Sequence, residues 1–234
     1  MNVRHRLAAA VATVGLAATG LALAAPAAQA APLPQAAPKA CKIEGISPST
    51  VVVGLSPKKV KFTPITSGCK VTSWSIATDN FVVTNKDPYA TLNPATLPKV
   101  ADPVVEVTAN NGLPTKEAAF VDGLHYKAPA VFNTRTKASP EPAKKGSKIT
   151  VTGQLAVAVW KQNQYTGYAG QPLKVQFKAK GGKYKTIKTV TSGEYGYTQT
   201  TVTAKKSGTW RMTFAGSSTA TSAIAKGDYV KVTK

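Results

Sequence analysis

From Leu173 to Lys178 the chain alternates strictly. Leu173, Val175 and Phe177 are apolar, whereas Lys174, Gln176 and Lys178 are polar or charged. Trp210, Met212 and Phe214 repeat the pattern around Arg211 and Thr213. Successive side chains of a pleated strand point to opposite faces, so both runs predict half-buried strands. Ile149, Val151, Val190, Val202, Val230 and Val232 extend the same inward set over further strands, and Gly181-Gly182 predicts the hairpin that joins two of them.

The preceding stretch is more broken. Short β-rich runs at residues 51–53, 60–65, 71–76, 81–84, 104–109 and 118–121 are separated by Ser47-Pro48, Ser56-Pro57, Asp87-Pro88, Asn110-Asn111-Gly112 and Asp122-Gly123. Strands at this spacing with turn residues between them, and no amphipathic helix of useful length, predict an all-β protein of the sandwich or barrel kind. The expected fold is two tandem immunoglobulin-like sandwiches, one over residues 41–130 and one over 131–234, with the boundary near 131–137.

The N-terminus reads differently. Arg4 and Arg6 precede an uncharged Ala/Leu/Val run, and Ala28-Gln29-Ala30 supplies small residues for cleavage, so residues 1–30 read as a signal peptide with the mature chain starting at Ala31. The run is mostly alanine, which disfavours the alternative of a retained membrane span. His5 separates the two arginines, which favours the general secretory route over a twin-arginine one. Residues 31–40 are Ala/Pro-rich and read as a disordered spacer. Cys41 and Cys69 are the only cysteines, and a pair in an exported chain reads as one disulfide. Closing that ring is worth about 3–4 kcal/mol by chain-entropy reasoning. Lipid modification of Cys41 is the rival, but Pro38 and Lys39 stand where a lipobox needs an apolar and a small residue.

Charge separates the two halves. Residues 41–130 hold nine lysines against seven acids, whereas residues 131–234 hold eighteen Lys plus Arg against three acids, within a formal net charge of +20 for the whole chain. The order Ala138-Ser139-Pro140-Glu141-Pro142, Lys144-Lys145-Gly146, Thr150-Val151-Thr152-Gly153, Gly167-Tyr168-Ala169-Gly170-Gln171, Ser207-Gly208-Thr209-Trp210, Phe214-Ala215-Gly216 and Gly227-Asp228-Tyr229-Val230 resembles the immunoglobulin-like domain of secreted actinomycete proteins. That resemblance covers about the last hundred residues. It implies export and a β-sandwich core, and it implies no activity and no functional residue.

Catalytic chemistry is poorly supplied. His125 is the one histidine after the leader, so a Ser-His-Asp or Cys-His arrangement has little to draw on. The acids are sparse and stand in turns, where a carboxylate ordinarily bonds its own backbone. No zinc or calcium ligand spacing occurs, so no metal or cofactor is expected, and the chain is expected not to be an enzyme. What remains is cationic. Lys174, Lys178 and Lys180, followed by Lys183, Lys185 and Lys188, are expected to form one basic sheet surface that gathers polyanions. In an exported protein these are acidic cell-wall polymers or extracellular polysaccharide. Keeping an exposed sheet soluble is the competing role for the same lysines. Specific nucleic-acid binding is not expected, because of the compartment and because base readout leans on Arg. A transmembrane anchor is not expected either. A second candidate is the aromatic segment 160–168, in which Tyr165 and Tyr168 are expected to be exposed among amide side chains of the kind that bind sugars. Another secreted protein is the remaining candidate partner.

Overall fold

A computed structural model describes residues 42–68, 71–97, 105–110, 117–121 and 124–234. The expected signal peptide, the spacer and both cysteines lie outside the described residues. Among the described residues, ten strands precede residue 128: Lys42–Ser47 (β1), Thr50–Val52 (β2), Lys58–Lys61 (β3), Thr63–Ser67 (β4), Ser73–Ala77 (β5), Val82–Thr84 (β6), Tyr89–Leu92 (β7), Val105–Asn110 (β8), Glu117–Val121 (β9) and His125–Lys127 (β10). Strands β6, β5, β8 and β9 form a four-stranded antiparallel sheet, while β1 pairs β4, β3 pairs β7, and β2 runs parallel to β10. Ile46, Val53, Phe62, Ile76, Leu92, Leu124 and Tyr126 form the core between them. Phe62 stacks on Phe81 with ring centroids 4.9 Å apart.

The single strand expected over 60–65 is two strands with different partners. Phe62 separates β3 from β4, fully buried, and donates its N–H to the Pro88 carbonyl at 2.8 Å. Beyond it, Pro64 has no N–H to give. It fits because β4 pairs only β1 and so tolerates a residue with no donor.

Twelve more strands follow: Ala130–Phe132 (β11), Lys137–Ser139 (β12), Ala143–Lys144 (β13), Lys148–Val159 (β14), Gln164–Gly167 (β15), Pro172–Ala179 (β16), Lys185–Thr191 (β17), Tyr197–Thr203 (β18), Gly208–Phe214 (β19), Ala223–Ile224 (β20), Asp228–Val230 (β21) and Val232–Thr233 (β22). One sheet is built on β14, with β12 and β18 along its first half and β11 and β15 along its second. The facing sheet runs β17-β16-β19, with β20 and β21 both on the far edge of β19. This division of antiparallel strands into two facing sheets is the arrangement of an immunoglobulin-like sandwich. Of the predicted inward set, Ile149, Val151, Leu173, Val175, Val202, Trp210, Met212, Phe214 and Val230 are buried in its core, while Phe177, Val190 and Val232 are partly buried against it. No helix among the described residues is long and apolar enough to cross a membrane.

The chain passes from one core to the other between Tyr126 and Ala130. The passage is a continuous ladder. Val53 donates to the Lys127 carbonyl at 3.0 Å, Ala128 donates to Thr219 and accepts from Thr221, and the Lys127 ammonium reaches the Ser217 carbonyl at 3.0 Å. Trp160 adds a side-chain tie. It leaves the end of β14 in a 3-10 turn, packs against the first core, and donates Nε1–H to the Val53 carbonyl at 2.9 Å.

Val53 thus spends both backbone groups on the junction while fully buried. Replacing Trp160 with Phe leaves its carbonyl without that donor, and we expect a loss of about 1–3 kcal/mol in urea unfolding followed by circular dichroism. An unchanged midpoint would show that this bond contributes nothing to joining the cores.

Candidate functional site

The β16–β17 hairpin carries the predicted lysines, and its register decides where each one points. Leu173 lies opposite Val190 and Phe214, Val175 opposite Lys188 and Met212, and Phe177 opposite Lys185 and Trp210. Directly opposed residues share a face, so Lys185 and Lys188 take the inward register of the buried row. The cause is a β-bulge. The register slips between Val175 and Gln176, whose partners are Lys188 and Thr186, and Ile187 is the extra residue. Without it, positions 185 and 188 would fall on opposite faces. The expectation of one surface for all six lysines is corrected accordingly. Lys174 and Lys178 hold the outer face, Lys180 and Lys183 stand exposed in the connecting loop, and Lys185 and Lys188 turn the other way.

On the outer face, Tyr184 is flanked by two cations. The Lys178 ammonium lies 5.0 Å from its ring centroid and the Arg211 guanidinium 3.6 Å, with Arg211 Nε donating to Gln176 Oε1 at 2.9 Å. These cation–π contacts and the hydrogen bond fix the two cations. Lys174 is left as the freely exposed charge of that strand face.

Behind β17 lies a cleft of about 420 Å³, lined by Phe177, Ile187, Val202 and Trp210 together with Lys148, Lys188, Lys205, Lys206, Thr201 and Thr203. It opens where β17 and β18, one edge strand from each sheet, leave a gap that no backbone ladder closes. Lys188 crosses the gap and donates to Thr200 Oγ1 at 2.8 Å, while Lys148 donates to Thr203 Oγ1 at 3.2 Å. Lys148, Lys205 and Lys206 were absent from the residues singled out in the sequence. The adjacent pair Lys205-Lys206 just beyond an alternating strand is the signal that marks that end of the sheet.

The aromatic segment divides as well. Tyr165 is 39% exposed on β15, as expected. Tyr168 is not exposed in that way: it is half-buried, packs edge-on against Phe214 at 5.8 Å, and brings its hydroxyl within 3.4 Å of Ser217 Oγ. Its neighbours explain this. Gly167 and Gly196 hold the segment tight against the turn at Glu194–Gly196, where Gly196 adopts φ +72° and any Cβ would meet the Leu155 carbonyl. Tyr168 and Trp160 instead wall a second cavity, of about 400 Å³, at the junction of the two cores, together with Leu97, Val157, Val159 and Tyr126. Tyr126 is fully buried, its hydroxyl has no hydrogen-bond partner among the described residues, and burial pushes its pKa up to about 12.

No family model and no curated protein matches the chain. Among solved structures, the chain is similar to the fibronectin(III)-like modules of Clostridium thermocellum CbhA, with 12% identity, a TM-score of 0.39, and 82% of this chain and 93% of that one covered. Three N-terminal domains of the bacteriophage RB49 highly immunogenic outer capsid protein align at 13% identity and a TM-score of 0.35, covering 83% and 70%. A 1.5-MDa bacterial ice-binding adhesin aligns at 13% and 0.31, covering 85% and 66%. At these scores the fold assignment rests on the strand pairing described above.

The Tyr126 phenol gives a pH dependence whose sign follows from its raised pKa. Its contribution is fully present below the unfolded value near 10 and is lost as pH rises through about 12, a change of about 2–3 kcal/mol. Tyr126→Phe removes an unpartnered hydroxyl, so we expect unchanged or higher stability at pH 7 and a smaller loss than the parent between pH 10 and 12. Thermal unfolding of both proteins across that range measures the difference. A variant clearly less stable at pH 7 would mean that the hydroxyl has a partner.

Proposed function

We propose that this chain is an exported, noncatalytic binding or structural protein that associates with acidic cell-envelope polymers or extracellular polysaccharide through the lysines of its C-terminal sandwich. The observation that carries this reading is uncompensated charge. Residues 131–234 hold eighteen basic residues against three acids, and among their described residues the ion pair is Arg135 with Asp228, at 4.0 Å. Lys174, Lys180 and Lys183 are exposed on one hairpin, where a flexible polyanion has free access to all three. Such a surface raises the local concentration of polyanions and loses its hold as salt screens it. The leader-like residues 1–30, the Cys41 and Cys69 pair, proposed as a disulfide, and the resemblance to secreted actinomycete domains support export.

A carbohydrate-binding reading keeps one supporting observation, the junction cavity walled by the Trp160 and Tyr168 rings. Uncharged sugar binding does not depend on screening, so salt separates the two.

The test is sedimentation of the purified protein with isolated cell walls at low salt and at about 0.5 M, where the Debye length falls to roughly 4 Å. We expect co-sedimentation at low salt only, weakened at least tenfold by Lys174→Glu, Lys180→Glu and Lys183→Glu together. Protein that stays in the supernatant under both conditions rejects polyanion binding.

A further inference from the structure

The cleft between β17 and β18 combines two features that neither solubility nor binding of a hydrophilic polymer requires. Its floor is apolar: Trp210 is buried, Phe177 packs on it at 4.7 Å, and Val202 closes the side from the other sheet. Its mouth carries Ile187, the bulge residue, left 51% exposed although it is one of the larger aliphatic side chains. Around this apolar slot stand four lysines, and among the described residues no carboxylate lines it. Like charges gathered on one low-dielectric opening repel one another, and an anion among them removes that cost.

The hydrogen bonds point the same way. An ammonium group has three donors and is served best by charged acceptors. Lys188 and Lys148 are bonded to the neutral hydroxyls of Thr200 and Thr203. Lys188 reaches across the mouth from one sheet to the other, so an anionic head placed there replaces a neutral acceptor with a charged one. The tail of such a molecule covers Ile187, Phe177 and the edge of the core, where apolar burial is worth about 25 cal/mol per Å². A cleft of about 420 Å³ lies within the ordinary range of small-molecule sites.

We propose that this cleft binds a single-chain amphiphile with an anionic head group, the head held by Lys148, Lys188, Lys205 and Lys206 and the tail laid over Ile187, Phe177 and Trp210. This rests on the reading that the lysines of this half meet anions, and it adds a distinct site with its own selectivity. A hydrophilic polyanion leaves the apolar floor uncovered. A neutral amphiphile leaves the four charges unanswered. Only a molecule carrying both parts satisfies both halves of the cleft.

The probe is dodecyl phosphate below its critical micelle concentration, titrated into the purified full-length protein by calorimetry, with dodecyl maltoside and inorganic phosphate as tail-only and head-only controls. We expect saturable 1:1 binding of dodecyl phosphate, at least tenfold tighter than either control. Ile187→Asp, and separately Lys188→Gln with Lys205→Gln and Lys206→Gln, each weaken it at least tenfold, with circular dichroism verifying the fold. Equal binding of dodecyl maltoside, equal binding of inorganic phosphate, or no saturable binding of dodecyl phosphate overturns the proposal. The Lys174, Lys180 and Lys183 substitutions separate the two readings. They leave dodecyl phosphate binding unchanged, so its persistence without wall binding overturns only the envelope reading, and its absence with wall binding intact overturns only the cleft.

Discussion

A strand as long as Lys148–Val159 places a demanding condition on everything around it. In the interior of a sheet, each of its residues offers backbone groups on both edges, and a buried group left unpaired costs about as much as a good hydrogen bond contributes. No neighbour spans its full length. The structure solves this with two ladders end to end: β12 and β18 serve residues up to Gln154, and β11 and β15 serve Leu155 to Val159. At the changeover the burial phase shifts, because Leu155 and Ala156 are buried in succession and Ala158 follows, whereas Ile149, Val151 and Gly153 are buried before it. The second half of the strand thereby faces the junction and delivers Trp160 to the first core. Joining of the cores and closure of the C-terminal sandwich are two results of the same pairing problem.

What the sequence disclosed follows from which signals are local. Strict alternation around Val175 and Met212 is local, and it located both strands and their inward faces. The hairpin at Gly181-Gly182 is likewise local: Gly181 takes φ +72° and Gly182 donates to the Ala179 carbonyl. The destination of Trp160 was not legible, because nothing in its neighbours indicates that the ring belongs to the core built from Ile46 to Tyr126 or that its N–H bonds Val53, 107 positions earlier. Nor was the division of 60–65, since Phe62 looks like any apolar strand residue until β3 and β4 find separate partners. Tyr168 was misplaced for a related reason. Polar neighbours in sequence suggested exposure, but the Tyr195 backbone, two strands further along the chain, lies against Gly167, and the Tyr168 ring packs on Phe214.

The lysines were legible as a composition and illegible as a surface. Counting them gave the charge of the C-terminal half correctly, yet their grouping depends on one inserted residue. A bulge leaves no mark in the pattern Lys185-Thr186-Ile187-Lys188 that distinguishes it from regular strand. Counted by the period of two from Val190, Lys188 reads as inward and Ile187 as outward; what the pattern does not disclose is that Lys185, three positions before Lys188, shares its face.

The inward register of two lysines separates the competing accounts of the edge. Lysine on an edge strand blocks pairing with another chain, and an inward-pointing charge serves that purpose well. For blocking alone, however, the ammonium needs only water, and the residue beside it is best polar. Here Lys188 is bonded across the sandwich to Thr200, Ile187 is held at the opening, and Lys148, Lys205 and Lys206 approach from other parts of the chain. An edge defended only against aggregation has no use for an exposed aliphatic group framed by four cations, because that group is itself an invitation to associate. The arrangement instead matches an occupant that is apolar on one side and anionic at one end.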